Sequence, residues 1–273
     1  MKHFKVQNIT VELPSVHLDR VVKVDLFLPP NYTHHPRYPY KLLLMNDGQD
    51  SPQLHLAATL ERLYERKVIE PVLVAAIHAN KDRIMEYGTA FMPDFKNRGA
   101  KAAAYSLFII TELLPFLQKN YIYSTTPTHT AFAGFSLGGL SAFDTAWRFP
   151  EVFGCVGVFS GSFWWRSKDL NDNYTDADRI THQMVRQTRK PNGLRIWLQT
   201  GTMDERADRN KNGIIDSIDD TLDLLDQLQQ KGFRMGQDVR YLQIDGGQHN
   251  QETWARAMPD FLKWAFRKKL PVK

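Results

Sequence analysis

The stretch from Thr128 to Phe149, THTAFAGFSLGGLSAFDTAWRF, decides the fold of this chain. Its opening, Thr128–Ala133, is a short apolar run that predicts a buried strand, and Leu137–Phe149 carries the i, i+3, i+4 apolar spacing of a helix. Between them, Gly134-Phe135-Ser136-Leu137-Gly138 matches G-x-S-x-G, the sharp strand-to-helix turn that exposes a nucleophilic serine. The glycines remove Cβ atoms where the backbone folds tightly past Ser136. The alternative is a glycine-rich turn whose serine has no chemical role.

Strands and helices alternate on both sides of this turn. Further strands are predicted at Ile9–Leu13, Val21–Leu28, Lys41–Met45, Val72–Ile77, Cys155–Phe159, Arg195–Gln199 and Val239–Ile244. Further helices are predicted at Leu54–Arg66, Ala100–Asn120, Ile218–Lys231 and Gln251–Lys268. Such alternation predicts an α/β fold with a mostly parallel central sheet of about eight strands and helices on both faces. No linker divides the chain, so a single domain over residues 1–273 is expected.

Composition excludes several classes of protein. The chain has 273 residues, 42% of them hydrophobic, and a formal net charge of +5 that is spread along its length. The apolar fraction is too high for disorder, and the dispersed charge favours a solvated surface over a nucleic-acid partner. No apolar run spans a bilayer, so no membrane partner is expected. The one cysteine, Cys155, excludes an internal disulfide, and the polar start of the chain predicts a cytoplasmic protein.

An acid and a base follow Ser136 in the order of an α/β-hydrolase triad. The strand from Arg195 ends just before Asp204 and Glu205, where a carboxylate points into the crevice at the sheet edge. Asp204 is the better orienting acid, Glu205 the second choice and Asp208 the third. His249 follows the last strand and is placed to accept the serine proton.

Two backbone amides are needed to stabilise an oxyanion. One is predicted at Leu137, directly after the nucleophile, and the other at Gln49, with Gly48 allowing close approach. The alternative for residues 47–50 is an ordinary Asp-Gly turn.

The chain resembles the esterase branch of the α/β hydrolases, which includes enterochelin, feruloyl and acetyl xylan esterases, S-formylglutathione hydrolases and mycolyltransferases. The resemblance spans nearly the whole sequence and is carried by LLLMNDGQ (42–49), Arg83 with EYG (86–88), ELLP (112–115), GFSLGG (134–139), SGSFWW (160–165) and GQH (247–249) followed by Trp254 and Phe261-Leu262. It implies ester hydrolysis through an acyl-enzyme without an organic cofactor: Ser136 attacks, His249 moves the proton and Asp204 holds the imidazole. The implied substrate is a small acylated sugar, siderophore or aromatic ester. Acyl transfer or amide cleavage by the same residues is one alternative, and a non-catalytic binding protein is another.

Two groups of residues are candidates for substrate contacts. Trp164 and Trp165 follow a strand end, where aromatic rings form an apolar or sugar-stacking wall or else pack under a loop. The second group lies in the long connection His78–Gly99 and consists of Arg83, Glu86 and Tyr87. These residues contact a polar leaving group or else hold that connection in place by an ion pair.

A calcium-type loop begins four residues after Asp204. The run from Asp208 to Asp219 matches D-x-[DN]-x-[DN]-G through Gly213, and its predicted oxygen ligands are Asp208, Asn210, Asn212, Ile214 (by its carbonyl), Asp216 and Asp219. Asp219 replaces the usual bidentate glutamate. The prediction is a structural Ca²⁺ that orders the acid-bearing segment, and the alternative is a solvated turn that caps the following helix.

Overall fold

The computed structural model describes residues 4–34 and 36–268. The strands are β1 (Gln7–Ser15), β2 (Arg20–Leu28), β3 (Lys41–Asn46), β4 (Val72–Ile77), β5 (Thr130–Phe135), β6 (Cys155–Phe159), β7 (Arg195–Met203) and β8 (Val239–Gln248). They form one sheet in the order β1-β2-β4-β3-β5-β6-β7-β8. Pairing is antiparallel for β1 with β2 and for β2 with β4, and parallel from β4 to β8. The predicted α/β-hydrolase architecture is therefore confirmed.

The topology places the predicted site residues at one edge of the sheet. Strands β5, β6, β7 and β8 are neighbours in that order and run parallel, so their carboxyl ends lie side by side. Ser136 follows β5, while Asp204 and His249 follow β7 and β8. This is the edge at which α/β sheets bind ligands.

The helices are α1 (Leu56–Glu65), α2 (Arg83–Glu86), α3 (Ala102–Leu107), α4 (Leu114–Asn120), α5 (Leu137–Arg148), α6 (Ile180–Gln187), α7 (Asp216–Gln230) and α8 (Gln251–Phe266). The helix predicted over Ala100–Asn120 is interrupted by a π-helical segment, Phe108–Leu113. Pro115 at the start of α4 has no N–H to donate back to the preceding turn, which accounts for the local change in hydrogen bonding. The sequence pattern missed α2 and α6, which are short and lie in or near the long connections.

The sheet is buried on both faces. Apolar side chains of β3–β7 alternate between two hydrophobic clusters, one packed against the helices before and after β5 and the other against α1 and α8. Helix α5 is buried from Leu137 to Trp147, so the turn before it is supported from both sides. Among the described residues, no helix is both long and apolar enough to cross a membrane.

Candidate active site

The turn that carries Ser136 is backbone-strained and tightly packed. Ser136 has φ 54° and ψ −123°, a conformation that costs energy for any residue with a Cβ. Its amide donates to the carbonyl of Phe159 at 2.9 Å, which ties the turn to β6. A Cβ on Gly134 would lie 2.2 Å from the carbonyl oxygen of Gly138, so this turn closes only with glycine at 134. The strain is the kind that functional sites store to present one side chain.

The Ser136 hydroxyl lies half-buried beside another serine. Its Oγ is 3.3 Å from Ser162 Oγ. Among the described residues its side-chain hydrogen-bond partner is therefore Ser162 and not a ring nitrogen of His249. Serine–base hydrogen bonds often form only when substrate binds, so their absence here is compatible with a nucleophile and base pair. Leu137 begins α5, and its amide has no acceptor inside the helix.

Asp204, rather than Glu205, is the carboxylate that interacts with His249. Asp204 is buried, its Oδ2 accepts from the Gly201 amide at 2.9 Å, and its Oδ1 has no hydrogen-bond partner within the described residues. Burial raises its pKa, whereas the Gly201 amide, the Ser160 hydroxyl and the charge of His249 lower it. Burial also raises the pKa of Glu205, and that carboxylate interacts with Ser217, Asp216, Asp220 and Asp204.

His249 is exposed at the rim of the site. The protein around the ring removes water and lowers the pKa of the imidazole below its usual value, Asp204 opposes that shift, and Arg83 adds to it. The ring packs edge-on against Trp254, with the centroids 5.3 Å apart. A neutral imidazole near pH 7 is the protonation state that a general base needs.

The predicted oxyanion segment packs directly against the start of α5. Asp47 has φ 58°, and a Cβ on Gly48 would lie 2.4 Å from the Ala76 carbonyl oxygen, so residues 47–49 turn sharply over β4. A Cβ on Gly138 would in turn lie 2.4 Å from Asp47 Oδ2. The Gln49 segment and the Leu137 amide therefore stand on neighbouring strand ends.

Two side chains that were not predicted to act here, Asn46 and Tyr105, hold this segment in place together with Arg83, which was a predicted site residue. Asn46 Nδ2 donates to the Gly138 carbonyl at 2.8 Å, and Tyr105 donates to Asn46 Oδ1 at 2.5 Å. Arg83 donates bidentately to Asp47 at 2.6 and 2.8 Å and reaches the Phe135 carbonyl at 3.4 Å. For Asn46 and Asp47 the sequence signal was their position directly after a predicted buried strand.

The structure buries three of the five predicted substrate contacts. Glu86 is 1% exposed and pairs bidentately with Arg20, and Tyr87 is 1% exposed with its hydroxyl accepting from the Asp47 amide at 3.3 Å. Trp165 is fully buried under residues 88–99. These three side chains support the site from inside the protein, because each is occupied by packing or by a buried partner. Trp164 is half-buried, with the Arg98 guanidinium 5.0 Å from its ring.

Arg83 is the member of that group that keeps access to solvent. Its side chain is 31% exposed, and its guanidinium lies 5.0 Å from the Tyr87 ring centre. The pairing with Asp47 raises its pKa against the opposing effect of burial, so it stays a cation. Arg83 thus has two effects: it binds Asp47 of the predicted oxyanion segment, and its positive charge lowers the pKa of His249.

The loop predicted to bind Ca²⁺ draws several of its oxygen-bearing side chains together. Asp219 Oδ2 accepts from the side-chain amides of Asn210 at 2.6 Å and Asn212 at 2.9 Å. Asp208 accepts from the Asn212 and Gly213 amides, and Asp216 accepts from the Arg209 amide at 2.9 Å. Ile214 is exposed. Within residues 4–34 and 36–268, no three His, Cys, Asp or Glu side chains form a ready metal cluster, so the Ca²⁺ site stays a prediction.

Comparison with known proteins assigns the family. The family model described as "Putative esterase" matches residues 15–265. The Bacillus subtilis protein YbbA, itself uncharacterised, is 24% identical over 247 residues, which are 89% of this chain and 92% of that protein. The iron(III) enterobactin esterase of Escherichia coli K12 is 34% identical over 99 residues, 36% of this chain and 24% of that protein.

Solved structures show the same fold. The enterobactin esterase FES of Shigella flexneri superposes with a TM-score of 0.72 at 22% identity, covering 95% of this chain and 59% of that one. A ferulic acid esterase superposes with a TM-score of 0.74 at 18% identity, covering 96% and 98% of the two chains. The chain therefore belongs to the esterase family that this model describes, has the α/β-hydrolase fold and is a carboxylic ester hydrolase.

Proposed function

We propose that the protein hydrolyses esters with Ser136 as nucleophile, His249 as general acid and base, and Asp204 as the residue that orients His249. One observation carries the proposal: a strained turn presents Ser136 at the sheet edge where Asp204 and His249 interact. Strain of this kind persists only where the surrounding structure holds it, as at a catalytic nucleophile.

The proposed reaction has two stages. Ser136 Oγ attacks the ester carbonyl while His249 takes the hydroxyl proton, and the amides of Gln49 and Leu137 donate to the oxyanion. His249 then returns the proton to the leaving alcohol, which forms the acyl-enzyme. Water, deprotonated by the same imidazole, attacks the acyl group; the bond to Ser136 Oγ then breaks, the imidazolium returns the proton to that oxygen, and the acid is released. Asp204 stabilises the imidazolium in both stages.

A pH profile follows from the environment of His249. Desolvation of the ring by the surrounding protein and the charge of Arg83 lower the pKa of His249, and only the neutral ring accepts the serine proton. We expect kcat/KM to rise with pH through a titration below about 6.5, the ordinary pKa of histidine.

The proposed substrate is a small acylated sugar, siderophore or aromatic ester. The relatives named above that act on enterobactin and ferulic acid support this class. Half-buried Trp164 with Arg98 over its ring is the remaining candidate for an aromatic wall. Acyl transfer to an alcohol uses the same acyl-enzyme, and added acceptor alcohols distinguish it by the product formed.

The decisive experiment is a panel of p-nitrophenyl acyl esters assayed with wild type, Ser136→Ala and Ser141→Ala. Ser141 is a matched control, since it is a buried serine one turn further along α5. We expect Ser136→Ala to lower kcat by several powers of ten, as removal of a triad member does. Ser141→Ala should stay within a few-fold of wild type. Wild-type turnover by Ser136→Ala would refute the proposal, and so would a wild type that cleaves none of the esters.

A further inference from the structure

The indole of Trp254 on α8 contacts Phe135, Ser160 and His249, which lie at three strand ends of the same sheet edge. It stacks on Phe135, the residue before Ser136, with centroids 5.0 Å apart and the planes at 29°. It meets the His249 ring edge-on at 79°. Its Nε1–H donates to Ser160 Oγ at 2.9 Å, and Trp254 itself is 5% exposed. One rigid ring therefore spans the ends of β5, β6 and β8.

The hydrogen bond from Trp254 decides where the Ser160 hydroxyl proton can go. An indole N–H only donates, so Ser160 Oγ is its acceptor and keeps its own proton for another acceptor. Ser160 is 1% exposed, and its amide donates to the Gln199 carbonyl at 2.8 Å. Its φ of 45° lies in the left-handed region that non-glycine residues avoid. The fold thus holds this serine in an unfavourable conformation between β6 and β7.

Asp204 is the carboxylate that interacts with this hydroxyl. The Ser160 side chain interacts with the carboxylate and lowers the pKa of Asp204. Oδ2 is already held by the Gly201 amide, whereas Oδ1 is buried and has no hydrogen-bond partner among the described residues, so it is free to accept from Ser160. A carboxylate oxygen has two lone pairs, so it can accept both from a hydroxyl and from the Nδ1–H of a histidine.

We propose that Trp254 and Ser160 are positioning residues that hold Asp204 in the orientation in which it binds the His249 ring. The Trp254 N–H donates to Ser160, the Ser160 O–H donates to Asp204, and the carboxylate is left facing His249. The same indole supports the His249 ring from its side. This inference rests on the proposed serine-esterase function.

The first test compares two Trp→Phe substitutions in the same helix. Trp254→Phe keeps an aromatic ring and removes the N–H. Trp264→Phe is the matched control, because the Trp264 N–H has no hydrogen-bond partner among the described residues. With a p-nitrophenyl ester, we expect Trp254→Phe and Ser160→Ala each to lower kcat by about 10- to 100-fold with KM within about two-fold, since small misplacement of catalytic groups costs this much. Trp264→Phe should match wild type.

The second test separates positioning from a purely structural role. In an Asp204→Ala background Trp254 and Ser160 have no carboxylate to orient, so adding Ser160→Ala should change the residual kcat by less than about two-fold. A structural role predicts the same loss in both backgrounds, together with a matching fall in melting temperature, and that result would overturn the inference. Wild-type kcat in Ser160→Ala and Trp254→Phe would also overturn it. If Ser136→Ala retained wild-type turnover instead, the proposed serine-esterase function would be wrong, which is a different outcome from failure of the positioning role of Trp254 and Ser160.

Discussion

The two sides of the site are stabilised in different ways. On the oxyanion side, Asn46, Asp47 and Tyr87 are nearly or fully buried, and Asp47 is bound bidentately by Arg83. On the acid side, Asp204 is buried, yet Met203 before it is 58% exposed and the Asn and Asp side chains of the following loop are bonded mainly to one another. The side chains that hold the predicted oxyanion segment are part of the core, whereas the buried acid is followed by a loop at the surface.

The difference has a physical basis. Preorganised donors stabilise an oxyanion only if they do not reorganise during the reaction, which favours a buried and cross-linked segment. An orienting acid acts through His249 and tolerates a more exposed segment. We therefore expect substitutions on the oxyanion side to alter turnover strongly and substitutions in the acid-side loop to alter stability more than chemistry.

The largest effect is expected from breaking the Arg83–Asp47 pair. Arg83→Gln leaves Asp47 buried without its bidentate partner and loosens the segment that carries Gln49, so kcat should fall about 100-fold. Loss of the Arg83 charge also removes one cause of the lowered His249 pKa. The acidic limb of the kcat/KM profile should therefore move to higher pH, which steady-state kinetics over a pH series measures.

Arg20→Gln is the matched control for that change. Arg20 pairs bidentately with Glu86 on the same short helix, α2, but makes no contact with the oxyanion segment. It should lower stability and leave the pH profile unchanged. Equal kinetic losses in the two variants would contradict the distinction between the two ion pairs.

A smaller, pH-dependent effect is expected at Asp144 on α5. Burial raises the pKa of Asp144 from 3.8 to about 6, while its Oδ2 accepts from the Ala90 amide at 3.0 Å. The folded state then binds the proton more tightly than the unfolded state, so this group costs stability as the pH rises from about 4 to about 6. The free energy of unfolding of Asp144→Asn, relative to wild type, should rise by up to about 2–3 kcal/mol between pH 4 and pH 7.

Urea unfolding at pH 4.5 and pH 7.5 measures that change. Asp226→Asn serves as the control, since Asp226 is an exposed carboxylate on α7. An Asp144→Asn difference that does not grow with pH would show that ionisation of Asp144 does not lower the free energy of unfolding.

The smallest effect is expected from Ca²⁺ at residues 208–219. Asp208, Asn210, Asn212 and Asp219 supply oxygens of the kind that Ca²⁺ binds, and rotation of the two amides would turn their oxygens towards the ion. Millimolar Ca²⁺ should raise the melting temperature by a few degrees relative to excess EDTA, because a ligand bound only by the folded state stabilises it. Asp219→Ala should abolish that difference while kcat stays within a few-fold. An unchanged melting temperature and turnover in EDTA would exclude the site.

Much of the fold was predictable because its signals are local. A buried run such as Val72–Ile77 or Cys155–Phe159 matches the observed strand residue for residue, since apolar content and flanking turns are encoded in adjacent positions. The continuous helix expected over Ala100–Asn120 was the least accurate element. There the apolar spacing persists, but Pro115 interrupts the hydrogen bonding.

The site was only partly predictable. The order of parallel strands is a long-range property, and it is the order β5-β6-β7-β8 that places Ser160 and Ser162 beside the proposed triad. Burial is also a long-range property: the residue types of Glu86 and Trp165 fit a substrate pocket, but both side chains are buried, which favours the structural alternative.

By itself the sequence determined the α/β class, the strained serine turn and the position of an acid and a histidine after later strands, because each depends on neighbours along the chain. Only the tertiary structure decided which acid interacts with His249, which arginine supports the oxyanion segment and which indole contacts all three strand ends. Those choices depend on distances between side chains far apart in sequence, and burial sets the strength of every charge and hydrogen bond among them.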